Sequence, residues 1–251
     1  MIKLFKCLAA VCVVSSAFSP VLNASTLEAA LAKDGRSEAD VKRDERSKPA
    51  DVLGLVGLKT GDVVADIFGG SGYYSEIIAD TVGESGKVYL HNNKAYLGFV
   101  QSGLNARIAA GLPSQVVDHR AEVDDMAFPA SSLDLAMIVM SYHDIYHIDE
   151  KSGWFAIDGK DFLGQVHKAL KPGGRFLIVD HQAKQGSGNK DAQVLHRIEE
   201  SFAIADLESK GFKLVSKSDA LRNPLDNYAL SVFDPAVRFK TDRFILLFEK
   251  L

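Results

Sequence analysis

The chain has almost no cysteine: two in 251 residues, Cys7 and Cys12, both within the first dozen positions. From residue 13 onward it can form no disulfide and offers no thiol nucleophile or thiolate metal ligand. No segment approaches the run of about 18 apolar residues that a membrane-spanning helix needs. Basic residues are not in excess: 29 Lys and Arg stand against 33 Asp and Glu, a formal charge of −4. Without a basic stripe, nucleic acid is a poor partner. Internal repeats and low-complexity tracts are also missing. So is a Gly-x-Gly-x-x-Gly fingerprint, which speaks against a nicotinamide-dependent oxidoreductase.

What is present is ordinary globular composition, 47% apolar and 25% charged, on a length that suits one α/β domain of roughly 200–250 residues. The start reads as an export signal. Lys3 and Lys6 precede a short apolar-to-small run from Leu8 to Phe18, and Leu22-Asn23-Ala24 offers a cleavage site. Residues 1–24 are therefore expected to be removed and the rest exported, to the periplasm, without a membrane anchor. Cys12 follows Val11 rather than a small residue, which argues against lipidation there. A mature chain from Ser25 would carry −6. Residues 25–50 read as an N-terminal helical arm, and 51–251 as the main domain. Within the arm, 36–49 is dense in both charges. It is either a solvated helix with i,i+4 ion pairs ended by Pro49, or an arm that presents Arg43 or Arg46 to an anionic group.

The main domain is organised around Val63 to Tyr74. A β-branched run passes Asp66 and breaks into Gly69-Gly70-Ser71-Gly72. Apolar or aromatic residues then recur at 73, 74, 77, 78 and 82, which is helical spacing. Strand, glycine turn and helix form the first half of a βαβ unit, and the glycines let backbone approach a ligand closely. Further strands are expected at 87–90, 115–119, 132–140, 175–180, 212–217 and 244–250. Helices are expected at 94–111, 162–170 and 191–210. This alternation predicts a parallel, doubly wound sheet with helices on both faces.

Four stretches in order resemble class I S-adenosylmethionine-dependent methyltransferases, from about Asp51 to the C-terminus. They are Asp66 with Gly69 to Gly72; Glu122-Val123 before Asp125 to Pro129 and Ser132 to Leu135; Val166 to Phe176, with its Lys-Pro-Gly-Gly turn; and Lys210-Gly211-Phe212 before two closing strands. The chain is similar in particular to predicted exported bacterial methyltransferases with a Gly-Gly-x-Gly-Tyr-Tyr loop, a Tyr-His-Asp motif and a late Leu-Arg-Asn-Pro. The resemblance implies a Rossmann-like, seven-stranded sheet whose last strand is antiparallel, and S-adenosylmethionine as cofactor. It assigns Asp66, Gly69, Gly70, Ser71, Gly72 and Tyr73 to the cofactor's amino-acid end, Asn92 to its ribose, and Glu122 to its adenine. Two positions depart from the pattern. Phe68 stands where the first loop glycine is usual, and Asn92 where a carboxylate is usual; an amide holds ribose hydroxyls more weakly because the bonds are not charge-assisted.

Tyr142-His143-Asp144 follows the fourth strand, at the carboxyl end where ligands of such sheets bind. His143 is the general-base candidate, since an imidazole pKa of about 6.5 suits work near neutrality. Asp144 would orient it and Tyr142 would position the acceptor; the alternative is that these residues only line the crevice. His143, His147 and Asp149, with His181 nearby, also invite a metal reading, but no third ligand has diagnostic spacing and no metal is expected. Arg222, Arg238, Lys240 and Arg243, between the closing strands, are either binders of an anionic substrate or surface charges. The expected activity is methyl transfer to a small-molecule or envelope acceptor. The competing reading is a non-catalytic protein of the same fold that binds a nucleoside-like or other small ligand. Fold alone does not decide between them.

Overall fold

The computed structural model describes residues 26–251. The expected export signal, with both cysteines, lies outside the described residues. Among those described, no helix is long and apolar enough to cross a membrane.

Seven strands form one sheet: β1 (Val63–Ile67), β2 (Lys87–Asn92), β3 (Val116–Arg120), β4 (Leu133–Val139), β5 (Leu170–His181), β6 (Phe212–Ser218) and β7 (Arg243–Lys250). Their order is β3-β2-β1-β4-β5-β7-β6. All neighbours from β3 to β5 are parallel, while β7 runs antiparallel to both β5 and β6. The expected doubly wound sheet with an antiparallel last strand is what is found. Alternation of side chains gives the sheet two cores. Ala65, Ile67, Ala136 and Ile138 pack on one face with Phe162 and Phe176. Val64, Leu135 and Met137 pack on the other with Ile77 and Ile78. The central strands β1 and β4 are covered on both faces, hence their near-continuous apolar sequences.

The glycine turn opens α4 (Tyr73–Val82), at the start expected from its spacing. Its Ile77, Ile78 and Val82 are buried, each contributing roughly 1.5–3 kcal/mol. α5 (Lys94–Gly111) follows β2, and Asn93 caps it by accepting from the Tyr96 N–H. Between them the chain winds outward as β1, β2, β3 and then returns to β4 beside β1, so the switch point lies between the carboxyl ends of β1 and β4. Both ends leave their strands through a non-glycine left-handed residue, Phe68 (φ 54°) and Met140 (φ 58°). Such conformers cost on the order of 1–3 kcal/mol and cluster at ligand sites.

The segment read as an arm, residues 25–50, holds α1 (Thr26–Leu31) and α2 (Glu38–Ser47), and α3 (Pro49–Gly54) runs across its expected end. Pro49 ends α2, as expected, and at the same time opens α3. The tyrosine pair after the glycine turn fastens this arm. Tyr73 donates to Asp44 Oδ1 (2.5 Å) and Tyr74 to the Ser47 carbonyl (3.2 Å). Arg107 of α5 adds a bond to Asp40 Oδ2 (2.9 Å) and one to Glu76.

One expected element is corrected. Instead of a single helix over 191–210 there are two, α7 (Ala192–Leu195) and α8 (Glu200–Glu208), with α6 (Gly159–Ala169) preceding them in the chain. His196 breaks the run at φ 54°. The reason is tertiary: Arg197 turns inward, fully buried, to pair both guanidinium nitrogens with Asp226 (2.7 and 3.1 Å) and to bond the Leu230 and Gln182 carbonyls. Ile198 meanwhile bonds into the edge of β5, its N–H reaching the His181 carbonyl at 3.0 Å. The satisfied buried ion pair, this bond and the one from the Ala183 N–H to the Ile198 carbonyl (3.0 Å) outweigh the segment's helix propensity.

Candidate active site

A cavity of about 650 Å³ opens at the switch point, above Met140 and the turn that follows β4. One wall is basic. Arg43 and Arg46 come from α2, Arg238 and Arg243 from the closing segment, and among the described residues none of the four ion-pairs with a carboxylate. Their contacts are aromatic: Arg43 lies over Tyr73 (4.0 Å), while Arg46 and Arg238 lie over Phe239 (4.8 and 4.9 Å). Arg243 donates to the Arg46 carbonyl, and its buried Nε has no partner. Burial, and then repulsion from Arg46 and Arg43, lower its pKa. Guanidinium groups without a direct carboxylate partner give this wall of the cavity a positive charge, although Arg43 also acts at longer range on Asp40, Asp44 and Asp66. The arm thus presents both Arg43 and Arg46 to the cavity. Of the later candidates, Arg238 and Arg243 line it, whereas Arg222 is committed to Glu200, Asp219 and Asp242.

The opposite wall carries histidines and acids. His143 and Asp144 start a short 3₁₀ turn (His143–Tyr146). Asp180, at the end of β5, is wholly buried and accepts from the His143 N–H (2.7 Å), the His181 N–H (2.7 Å) and His143 Nδ1 (2.8 Å). His143 Nε2 stands 3.3 Å from Asp144 Oδ1. Burial alone would lower the imidazole pKa, but the Asp180 and Asp144 carboxylates outweigh it and raise it to about 10. So placed, His143 holds a proton at neutral pH rather than taking one. Tyr142 is turned away from the cavity, and its hydroxyl donates to Asp206 (2.6 Å) in the core. It is therefore not placed to position an acceptor. Trp154 pins the turn by donating to the Asp144 carbonyl (2.9 Å).

The residues assigned to the cofactor are largely turned on one another. Asn92, fully buried, accepts from the Gly70 N–H (3.0 Å) and donates to the Gly70 carbonyl (2.9 Å). Asp66 accepts from Ser75 (2.7 Å), and burial raises its pKa to about 6. A Cβ on Gly69 would meet Leu90 Cδ1 at 2.6 Å and Asp66 Cγ at 2.7 Å; on Gly72 it would meet Leu90 Cδ2 at 3.0 Å. These two glycines accommodate the protein's own side chains. Only Gly70 looks toward the crevice, where a Cβ would touch Val100 and Tyr96 at 3.7 and 3.8 Å, and Ser71 faces α5 beside Gly103. Phe68 packs on the Phe162 face of the sheet, its ring 5.4 Å from both Tyr96 and Trp154 and 5.9 Å from Phe162. Tyr96 reaches across to Ser141 (2.9 Å). Glu122 stays outside this packing, bonded to the Lys94 N–H (3.2 Å) in a second, shallower cleft. As the side chains stand, Asp66, Gly69, Gly72, Tyr73 and Asn92 are engaged within the protein, and of the residues assigned to the cofactor Gly70 is the one that faces the cavity.

Sequence reasoning missed Asp180, His196 and Trp154, whereas it had singled out Phe68 as a departure from the usual loop. An acid directly after the apolar run Phe176–Val179 was a readable signal for Asp180. Nothing local signals His196, which faces the cavity only because Arg197 breaks the helix.

No protein-family profile matches the chain. It is 27% identical over 126 residues to a ubiquinone/menaquinone biosynthesis C-methyltransferase of Pseudomonas savastanoi, covering 50% of this chain and 44% of that protein. To the same-named protein of Ectopseudomonas mendocina it is 24% identical over 169 residues, covering 67% and 58%. The chain thus spans about half the length of the curated relatives it matches. Among solved structures, an S-adenosylmethionine-dependent methyltransferase from Aquifex aeolicus matches with TM-score 0.57 at 19% identity, over 85% of this chain and 97% of that one. Geranyl diphosphate C-methyltransferase from Streptomyces coelicolor matches with TM-score 0.58 at 14% identity, over 89% and 84%. The resemblance read from the sequence therefore holds for the fold: the chain has the sheet order and architecture of the class I S-adenosylmethionine-dependent methyltransferases, and over about half its length it is similar in sequence to ubiquinone/menaquinone biosynthesis C-methyltransferases.

Proposed function

We propose that the chain transfers a methyl group from S-adenosylmethionine to a small anionic acceptor seated in the switch-point cavity, and that it does so outside the cytoplasm. The relatives support methyl transfer, and the basic first residues followed by a short apolar run support export. The observation that carries the acceptor class is the basic wall: four arginines without carboxylate partners around about 650 Å³. The Streptomyces coelicolor neighbour holds geranyl-S-thiolodiphosphate with Mg²⁺ and S-adenosyl-L-homocysteine, so an anionic molecule can be held in this fold. The cofactor would supply an electrophilic methyl group on sulfur. The protein's own part is to orient the acceptor through Arg43, Arg46, Arg238 and Arg243 and to exclude water with Phe239, Trp154 and Phe99.

A second reading, a protein of this fold that binds a small ligand without methyl transfer, is favoured by the Phe68 plug and the Asn92–Gly70 bonds. Calorimetric titration with S-adenosylmethionine and S-adenosylhomocysteine separates the two. If the plug closes a working site, both ligands bind, and Phe68→Gly binds them about tenfold more tightly because the open state no longer has to be populated first. Absence of binding in both proteins would overturn the methyltransferase reading.

A further inference from the structure

We infer that His143, Asp144 and His196 form a binding site for one divalent transition-metal ion, of the zinc or cobalt class, in the wall of the cavity. One ligand atom from each lies within 4.8 Å of the others. Asp144 Oδ1 is 3.3 Å from His143 Nε2 and 3.7 Å from His196 Nδ1. Ligand atoms held about 2.1 Å from a tetrahedral ion stand roughly 3.4 Å apart, so both separations are already those of neighbouring ligands. Closing the third edge needs only a small shift of the His196 ring, which sits on a turn rather than within a helix.

The support behind the ligands points the same way. Asp180 already accepts from two backbone N–H groups, and its carboxylate can only accept from His143 Nδ1, so Nδ1 carries a hydrogen and Nε2 is the atom aimed at Asp144; the entering metal ion displaces the second proton, which Nε2 otherwise shares with Asp144, and releases it to solvent. A carboxylate behind an imidazole in this manner fixes the tautomer and strengthens the ring as a metal ligand. Trp154 and the Asp144 carbonyl hold the turn from the other side. The break in the helix brings His196 to the cavity, its ring 5.3 Å from His143 and 4.5 Å from His147. Two imidazoles and one carboxylate leave coordination positions open, as in sites where a metal meets a ligand. The three residues line the same cavity as the arginines, so an anionic oxygen of a molecule bound there would complete the shell. The site does not depend on methyl transfer.

The test uses the untagged chain, stripped with a chelator and titrated with Co²⁺. The expected result is one equivalent bound with visible d–d bands, and displacement of cobalt by Zn²⁺ with loss of those bands. His196→Ala should weaken cobalt binding at least tenfold, while His167→Ala, on α6 and remote from the cavity, should bind as the parent does. If circular dichroism shows that His196→Ala has lost its fold, His196→Asn serves instead, since Asn tolerates the left-handed backbone at this position. Binding of no cobalt by the parent chain, or unchanged binding in the His196 variant, would overturn the assignment.

Discussion

His91 gives the fold a pH dependence whose size can be worked from its surroundings. It lies one residue before the end of β2 with no solvent exposure, packed at 5.6 Å from Phe68 and 5.8 Å from Phe128. Its Nε2 donates to the Ala121 carbonyl (3.1 Å), and its Nδ1 has no partner that would welcome a second proton. Burial, with a smaller contribution from neighbouring His119, lowers its pKa to about 3. In the unfolded chain the same imidazole titrates near 6.5. Below that value the unfolded state takes up a proton that the folded state refuses, so stability is complete above about pH 6.5 and is lost as pH falls toward 3. Between pH 7.5 and 4.5 the loss comes to about 2.6 kcal/mol. His91→Leu removes this linkage, though it also removes the bond to Ala121. The quantity to measure is therefore the difference between parent and variant stability, from urea unfolding at both pH values. It should shift by about 2–3 kcal/mol in the variant's favour at pH 4.5. A difference that does not change with pH would mean that His91 protonates in the folded chain as readily as in water, and the account of the buried aromatic wall would fail.

Asp66 should act in the opposite sense. Its folded pKa of about 6 lies above the unfolded value, so Asp66→Asn should gain stability relative to the parent as pH rises from 4 to 7.5, by roughly 2–3 kcal/mol; parallel unfolding curves at the two pH values would refute this. Gly69→Ala places a Cβ 2.6 Å from Leu90 and 2.7 Å from Asp66, and thermal unfolding should show a loss of about 1–3 kcal/mol. A variant as stable as the parent would mean that the turn yields at this point.

The fold was legible because its signals are local. β4 shows as an apolar run, α4 as helical spacing after a glycine cluster, and the closing strands as part of a known pattern. The arginines of the arm were legible as one of two readings, since charge density shows that a helix is solvated or in use but not which. The acid–histidine wall was legible only in part. His143 and Asp144 stand beside the apolar run of β4, but Asp180 reaches them from another strand and His196 through a helix break caused by a buried ion pair. Those juxtapositions arise from packing between segments far apart in the chain. The orientation of Tyr142 was misjudged for the same reason, because its partner Asp206 lies 64 residues away.

Asn92 needs a different explanation from the one its position suggests. Beside the usual carboxylate it looks like a weakened ribose ligand. In the folded chain it meets both polar groups of Gly70, accepting from the N–H and donating to the carbonyl, within a region that has no access to water. Only an amide can do both; a carboxylate would face the Gly70 carbonyl oxygen with an oxygen of its own. The residue thus fits as a clamp on the turn, and Gly70, at φ 64°, is held in the left-handed conformation that the clamp requires. On this reasoning Asn92→Asp restores the usual residue and harms the protein. One bond is lost and a charge is buried, at a cost of about 1–3 kcal/mol or more. Urea unfolding at pH 7.5 reads that cost, and calorimetry with S-adenosylmethionine reads the alternative. A variant that is as stable as the parent and binds the cofactor more tightly would show that Asn92 faces the ribose. A destabilised variant with no gain in binding would show that the amide belongs to the turn.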